Sequence, residues 1–112
     1  MNDYIKKLPK DEVFLLTNHL DYEEHKVSSL TLAQNKNLII TLFALDADES
    51  IGGHASTGDA MVQILDGKAE ITVGDHTHIV SCGETIIMPA NITHALKAIE
   101  PFKMLLTVVK PN

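Results

Sequence analysis

Short apolar runs, separated by turn-forming residues at nearly even intervals, fill the chain from about residue 26 onward. This pattern predicts a succession of short β-strands rather than helices. The clearest case is 68–73, where apolar and polar residues alternate directly after Asp66-Gly67, a dipeptide that favours a two-residue hairpin turn. Strands are predicted at 27–32, 38–45, 60–65, 68–73, 76–80, 85–88, 94–99 and 102–109, and a loop is predicted at 46–58.

No long helical pattern separates the predicted strands, so a parallel βαβ arrangement is not expected. The remaining choice is an all-β fold, either an antiparallel sandwich or a barrel such as a jelly roll. The first 25 residues are polar and charged apart from one apolar cluster, 13–16, which could be a short helix or a strand. We therefore predict a single domain, in which an irregular or helical N-terminal segment, 1–25, packs on a β-barrel formed by 26–112.

Composition and charge limit the partners that the chain can have. Apolar residues make up 45% of the 112 residues, and the formal net charge is −6. Nucleic acids and anionic membrane surfaces attract basic proteins, so neither is expected to bind here. The N-terminus lacks the apolar run of a signal peptide, no stretch approaches the roughly 18 apolar residues of a membrane span, and the single cysteine, Cys82, cannot form an internal disulfide. A cytoplasmic protein is therefore expected.

Two motifs in the β region have the spacing of motifs from a known protein family. The first family motif begins with a histidine, continues through a second histidine and an acidic residue, and ends at a glycine; here it begins at His54 and ends at Gly67. The second runs from a glycine through a proline to a histidine, and Gly83, Pro89 and His94 follow its spacing. The chain thus resembles a small, single-domain cupin of the bacterial type.

The resemblance implies a jelly-roll barrel that is open at one end and holds a divalent transition metal, such as zinc, iron, manganese or nickel. It assigns His54 and His94 as metal ligands. The other two family ligand positions have changed, because the second histidine is replaced by Ser56 and the acidic residue by Ala60. Asp59 lies one residue before the acidic position.

Two imidazoles without a carboxylate or thiolate make a weak metal site. Side chains alternate along a strand, so Asp59 should point away from the barrel if Ala60 points into it, unless a bulge next to Gly58 re-aims the strand. Gln63, Asp59 or a bound ligand could complete the metal's coordination shell. Glu49, in the preceding loop, could reach the mouth of the barrel. Any metal is therefore expected to be held weakly.

The interior of the barrel is expected to be an apolar pocket. Loss of the acidic side chain at Ala60 enlarges this pocket and favours an apolar or aromatic small molecule over a sugar. The predicted function is a small-molecule-binding protein; the alternative is a metal-dependent cupin enzyme of the dioxygenase, isomerase or lyase type, with no catalytic residue assigned. The predicted lining residues are Ser56, Ala60, Val62, Gln63, Met88 and Leu96.

Four further histidines lie outside the two motifs. His76 and His78 have the spacing of a pair on one face of a strand, but they fall outside both motifs and are interpreted as solvated residues. His19 and His25 are expected to be exposed on the N-terminal segment. The resemblance also suggests a homodimer, for which the strand at 27–32 is nominated because an unpaired edge strand favours pairing with a second copy.

Overall fold

The computed structural model describes residues 4–111, so residues 1–3 and 112 of the two predicted segments lie outside it. No helix in this part of the chain has the length and hydropathy needed to cross a membrane. Its regular elements are a 3₁₀ helix at Leu16–His19 and the strands β1 (Val27–Gln34), β2 (Leu38–Leu45), β3 (Ser50–His54), β4 (Asp59–Asp66), β5 (Lys68–Val73), β6 (His76–Ser81), β7 (Thr85–Met88), β8 (His94–Ala98) and β9 (Phe102–Val109).

The strands form two antiparallel sheets. One has five strands in the order β1-β2-β9-β4-β7, and the other has four strands in the order β3-β8-β5-β6. Strands that are neighbours in a sheet are mostly distant in sequence, as expected for a jelly roll, and every pairing is antiparallel. The predicted all-β jelly-roll fold is therefore confirmed.

The core lies between the two sheets, and alternation of buried and less buried residues is clearest along β4 and β5. In β4, Ala60, Val62 and Ile64 are buried, whereas the residues between them are exposed or half-buried. Phe102 and Met104 of β9 are fully buried in the same cluster. Burial of each such large side chain contributes about 1.5–3 kcal/mol to the free energy of unfolding, so the core fixes which face of every strand points inward.

The predicted loop at 46–58 is wrong in part, because β3 lies within it. Its sequence has no alternation and contains two glycines, so it carries no strand signal. The glycines are needed for pairing with β8: the register shifts between Ile51 and His54, and Gly53 has a φ of 72°. A Cβ on Gly52 would lie 3.3 Å from the Cβ of Ala95. The other predicted strands are confirmed, with ends that differ by at most two residues.

The N-terminal segment contacts the outer face of the five-stranded sheet. Lys103 lies on that face, is 9% exposed, and donates from Nζ to the Thr17 carbonyl at 2.6 Å within the 3₁₀ helix. The same ammonium lies 4.9 Å from the centre of the Tyr22 ring, a cation–π contact. Tyr22 donates to Asp66; burial and then this hydrogen bond raise the pKa of Tyr22, so its hydroxyl remains a donor. These contacts attach the segment to the barrel.

Gly67 and Gly83 both lie in turns, and comparing them tests why glycine is needed at position 67. Both Gly67 and Gly83 have positive φ, but a Cβ on Gly67 would lie 2.0 Å from the Pro101 carbonyl oxygen, whereas a Cβ on Gly83 meets nothing within 4 Å. We expect Gly83→Ala to lower the free energy of unfolding by about 1–2 kcal/mol through backbone strain alone. Gly67→Ala should cost clearly more, because the start of β9 must move. Urea denaturation measures both, and equal losses would contradict this account.

Candidate functional site

The two predicted ligand histidines lie opposite each other at one end of the sandwich. His54 is the last residue of β3 and His94 the first residue of β8, and the two are partners in the strand register. The hairpin between β5 and β6 reaches the same end, because the Gly74 N–H donates to the Thr93 carbonyl at 2.8 Å. Three loops therefore surround this end, which we call the barrel mouth.

Asn91 connects two of the loops at the mouth. It has a φ of 64°, a left-handed conformation that asparagine adopts more readily than most residues. Its N–H donates to the Ser56 carbonyl at 2.7 Å and so joins two of the mouth loops. The Ser56 hydroxyl accepts the Gly58 N–H at 3.1 Å. Ser56 therefore stabilises its own loop.

The imidazole rings of His54 and His94 are in contact. Their centroids are 4.7 Å apart and the planes meet at 68°, an edge-on arrangement. His94 is 5% exposed, whereas His54 is exposed at the mouth. The Nδ1 atom of His94 is buried without a hydrogen-bond partner, and an unsatisfied buried polar atom costs about 1–3 kcal/mol. The pair thus combines an accessible imidazole with a buried one whose hydrogen-bonding capacity is not fully used.

The environment of His94 favours its neutral form. Burial, and then the neighbouring His54, lower the pKa of His94 below the ordinary imidazole value, while the backbone of Ile92 opposes this shift more weakly. At neutral pH the His94 ring is therefore uncharged. One of its nitrogens is then a donor and the other an acceptor.

The acidic candidates point away from the histidine pair. Asp59 is exposed, and its Oδ1 accepts the Ala90 N–H at 2.8 Å, on the face of β4 opposite to the buried Ala60. The register between β4 and β9 is continuous through this region, so no bulge re-aims the strand. The Glu49 carbonyl accepts the Ala98 N–H at 2.9 Å, which places Glu49 at the end of β8 opposite to the mouth.

The residues at the mouth do not fit a resident divalent metal of the cupin type. Within residues 4–111, no group of three or more histidine, cysteine, aspartate or glutamate side chains is arranged to hold a metal ion. The donor set is two imidazoles, whereas a stable site for a transition metal uses three or four protein ligands. Ala60 supplies no donor at the family's acidic position.

Most of the predicted pocket residues belong to the core beneath the pair. Ala60, Val62, Met88 and Leu96 are at most 3% exposed and belong to one packed cluster. Gln63 is an exception and requires a correction: it alternates with Val62 along β4 and is half-buried on the outer face of the five-stranded sheet. It therefore cannot line the same interior as the other four.

His76 and His78 lie on a face that their sequence did not reveal. Val80, two residues further along β6, is buried in the core, so alternation places both histidines on the inner face of the four-stranded sheet. Their ring centroids are 6.5 Å apart and both side chains are exposed. The signal was ambiguous, because Ile79 on the opposite face is also apolar.

Removing one ring should change the titration of the other. We expect His54→Ala to raise the pKa of His94, because the variant removes a neighbouring group that disfavours the imidazolium and admits water to a buried ring. Two-dimensional NMR of the imidazole resonances follows this titration. The exposed His25 gives a matched control, and His25→Ala should leave the His94 curve in place. A His94 curve that moves to lower pH in His54→Ala would contradict the assignment.

The lowered pKa of His94 also predicts a pH dependence of stability. An unfolded chain binds a proton at this ring below about pH 6.5, but the folded chain binds it only at lower pH. The free energy of unfolding should therefore fall as the pH drops through about 6.5 and level off below the folded-state pKa, with about 1.4 kcal/mol for each unit by which the pKa is lowered. Urea denaturation from pH 8 to 4 tests this. His94→Phe should remove the corresponding slope, and identical slopes in both proteins would contradict it.

Comparison with known proteins places this arrangement in a family. A conserved protein of unknown function from Streptococcus pyogenes has 49% sequence identity and a TM-score of 0.96, with 99% of this chain and 97% of that one covered. A cupin superfamily protein from Desulfitobacterium hafniense has 30% identity and a TM-score of 0.92, with 96% and 98% covered. An uncharacterised Streptomyces coelicolor protein is 29% identical over 82 residues, which are 73% of this chain and 78% of that protein.

The sequence profile of the cupin domain matches residues 41–109. This range runs from within β2 to the end of β9 and includes both histidines of the mouth. The fold, the motif spacing and the matched range agree, and the chain belongs to the cupin family.

Proposed function

We propose that this cupin is a small-molecule-binding protein, in which His54 and His94 bind a polar group of the ligand at the barrel mouth without a resident metal ion. The observation that carries the proposal is the buried, unpartnered Nδ1 of His94 next to the exposed ring of His54. The neutral imidazole of His94 offers one donor and one acceptor next to the exposed His54 ring, which suits a carboxylate, hydroxyl or carbonyl group.

The surroundings of the pair indicate the character of the rest of the ligand. Ile51, Val73 and Leu96 are the nearest partners along the inner face of the sheet, and all are apolar and packed in or against the core. A few polar groups above an apolar floor are typical of small-molecule sites. The proposed ligand therefore has one polar group for the histidines and an apolar or aromatic body.

We also propose that the protein is a homodimer and that it is cytoplasmic. β1 is an edge strand of the five-stranded sheet, and Val27 at its start is 38% exposed, which supports pairing with a second copy. The single cysteine, Cys82, is free, which agrees with a reducing compartment.

The first experiment combines metal analysis with a ligand screen on tag-free protein. We expect much less than one equivalent of iron, manganese, nickel or zinc to remain after incubation and dialysis, because two imidazoles hold these ions weakly. In the same protein, benzoate, phenol and benzamide are titrated while the imidazole resonances of His54 and His94 and the Met88 methyl resonance are followed by NMR. At least one compound should shift all three resonances, and His94→Phe should abolish the shifts, whereas His25→Ala should not.

Two results would overturn the proposal. One tight equivalent of a transition metal, lost in His54→Ala, would show that further donors complete a metal site and would favour a metal-dependent enzyme. Shifts confined to residues away from the mouth, or none with any compound, would show that the histidine pair does not bind such groups.

A further inference from the structure

The strand register brings a third histidine into line with the proposed binding pair. His54 of β3 is opposite His94 of β8, His94 is opposite Val73 of β5, and Val73 is opposite His76 of β6. Residues that are partners in an antiparallel register have side chains on the same face of the sheet. One row of side chains therefore crosses the whole inner face at the barrel mouth.

His78 extends this row along the edge strand. It is opposite Ile71, which is fully buried, so it shares the inner face. A cavity of about 300 Å³ opens next to it, between the edge strands β6 and β7, and is lined by His78, Val80, Glu84 and Ile86 among others. His76 and His78 are both exposed and therefore accessible to a ligand.

The inner face of this sheet has an unusual charge distribution for a chain of net charge −6. The paired residues on the inner faces of β3, β8, β5 and β6 are the four histidines and otherwise aliphatic residues. Two neighbouring carboxylates are outside this row. Asp75 lies in the β5–β6 turn, and Glu84 lines the cavity beside His78 while its Oε1 accepts the Ser81 N–H at 2.8 Å. The row itself contains no carboxylate, and its imidazoles can donate hydrogen bonds to an anion.

The two pairs are too far apart to act on one small group. Adjacent strands are roughly 4.8 Å apart, so His94 and His76, with β5 between them, are separated by about 10 Å. No group of three or more potential metal-binding side chains is formed within residues 4–111, in agreement with this separation. Val73, half-buried and packed against the core, forms an apolar floor between the pairs.

We infer that His76 and His78 form a second polar subsite of the same binding surface, and that the ligand is an elongated dicarboxylate with an apolar middle. One carboxylate binds His54 and His94, the chain crosses Val73, and the other carboxylate binds His76 and His78. This inference rests on the proposed function, because it extends the site at the His54–His94 pair.

A series of dicarboxylates tests the inference. Succinate, suberate, azelate and sebacate are titrated into the full-length, tag-free protein by calorimetry. Octanoate, which has a single carboxylate, is the control. We expect the affinity to rise with length until both carboxylates can bind at once, with azelate at least about tenfold tighter than octanoate. His76→Ala/His78→Ala should reduce azelate binding to the octanoate level and leave octanoate unchanged. His19→Ala/His25→Ala is the matched control and should change neither.

The outcomes separate the two proposals. If octanoate or benzoate shifts the His54 and His94 resonances but azelate binds equally to wild type and His76→Ala/His78→Ala, the second subsite is refuted and the proposed function stands. If no carboxylate shifts the His54 and His94 resonances, the second subsite is refuted. If phenol and benzamide also leave these resonances unchanged, the proposed function is refuted as well. NMR of the wild-type protein gives a check that needs no variant, because azelate, but not octanoate, should also shift the His76 and His78 resonances.

Discussion

The position of β8 between β3 and β5 is the constraint on which the rest of the site depends. It places His94 at the centre of a row, in contact with His54 on one side and Val73 on the other. It also buries His94, because the adjacent core side chains leave 5% of the residue exposed. Burial and the adjacent ring keep this imidazole neutral, so the same packing that stabilises the sheet sets the chemistry of the mouth.

Alternation of side chains along β4 keeps a carboxylate out of the barrel mouth. Ala60 points inward and Asp59 outward, and the continuous pairing with β9 holds this parity. A carboxylate displaced by one residue is therefore not a weaker ligand but a group on the other side of the sheet, where Asp59 accepts the Ala90 N–H instead. The loss of an inward carboxylate leaves two imidazoles over an apolar core, a combination suited to hydrogen bonding with an organic ligand.

Most strands could be predicted from the sequence because burial of one face produces an alternating apolar pattern, as in β4 and β5. The resemblance to the family motifs assigned His54 and His94 to one site, and their rings are in contact. β3 was missed because it contains Gly52 and Gly53. Their lack of a side chain allows the irregular pairing with β8, but it also leaves no hydrophobic pattern in the sequence. Gln63 does not line the predicted pocket, because adjacent residues of a strand face opposite ways and Val62 takes the inward position.

His76 and His78 show what periodicity alone leaves open. β6 carries an apolar residue on each face, Ile79 and Val80, so either face could have been the inner one. The structure decides between them because Val80 is buried and Ile79 is 55% exposed. A slip of one residue would turn Thr77 and Ile79 inward and remove both imidazoles from the row. The Gly74 N–H, which donates to the Thr93 carbonyl, ties the tight turn to the neighbouring loop and works against that slip. For the proposed dicarboxylate, a preformed row of this kind favours a length that matches the separation of the two histidine pairs.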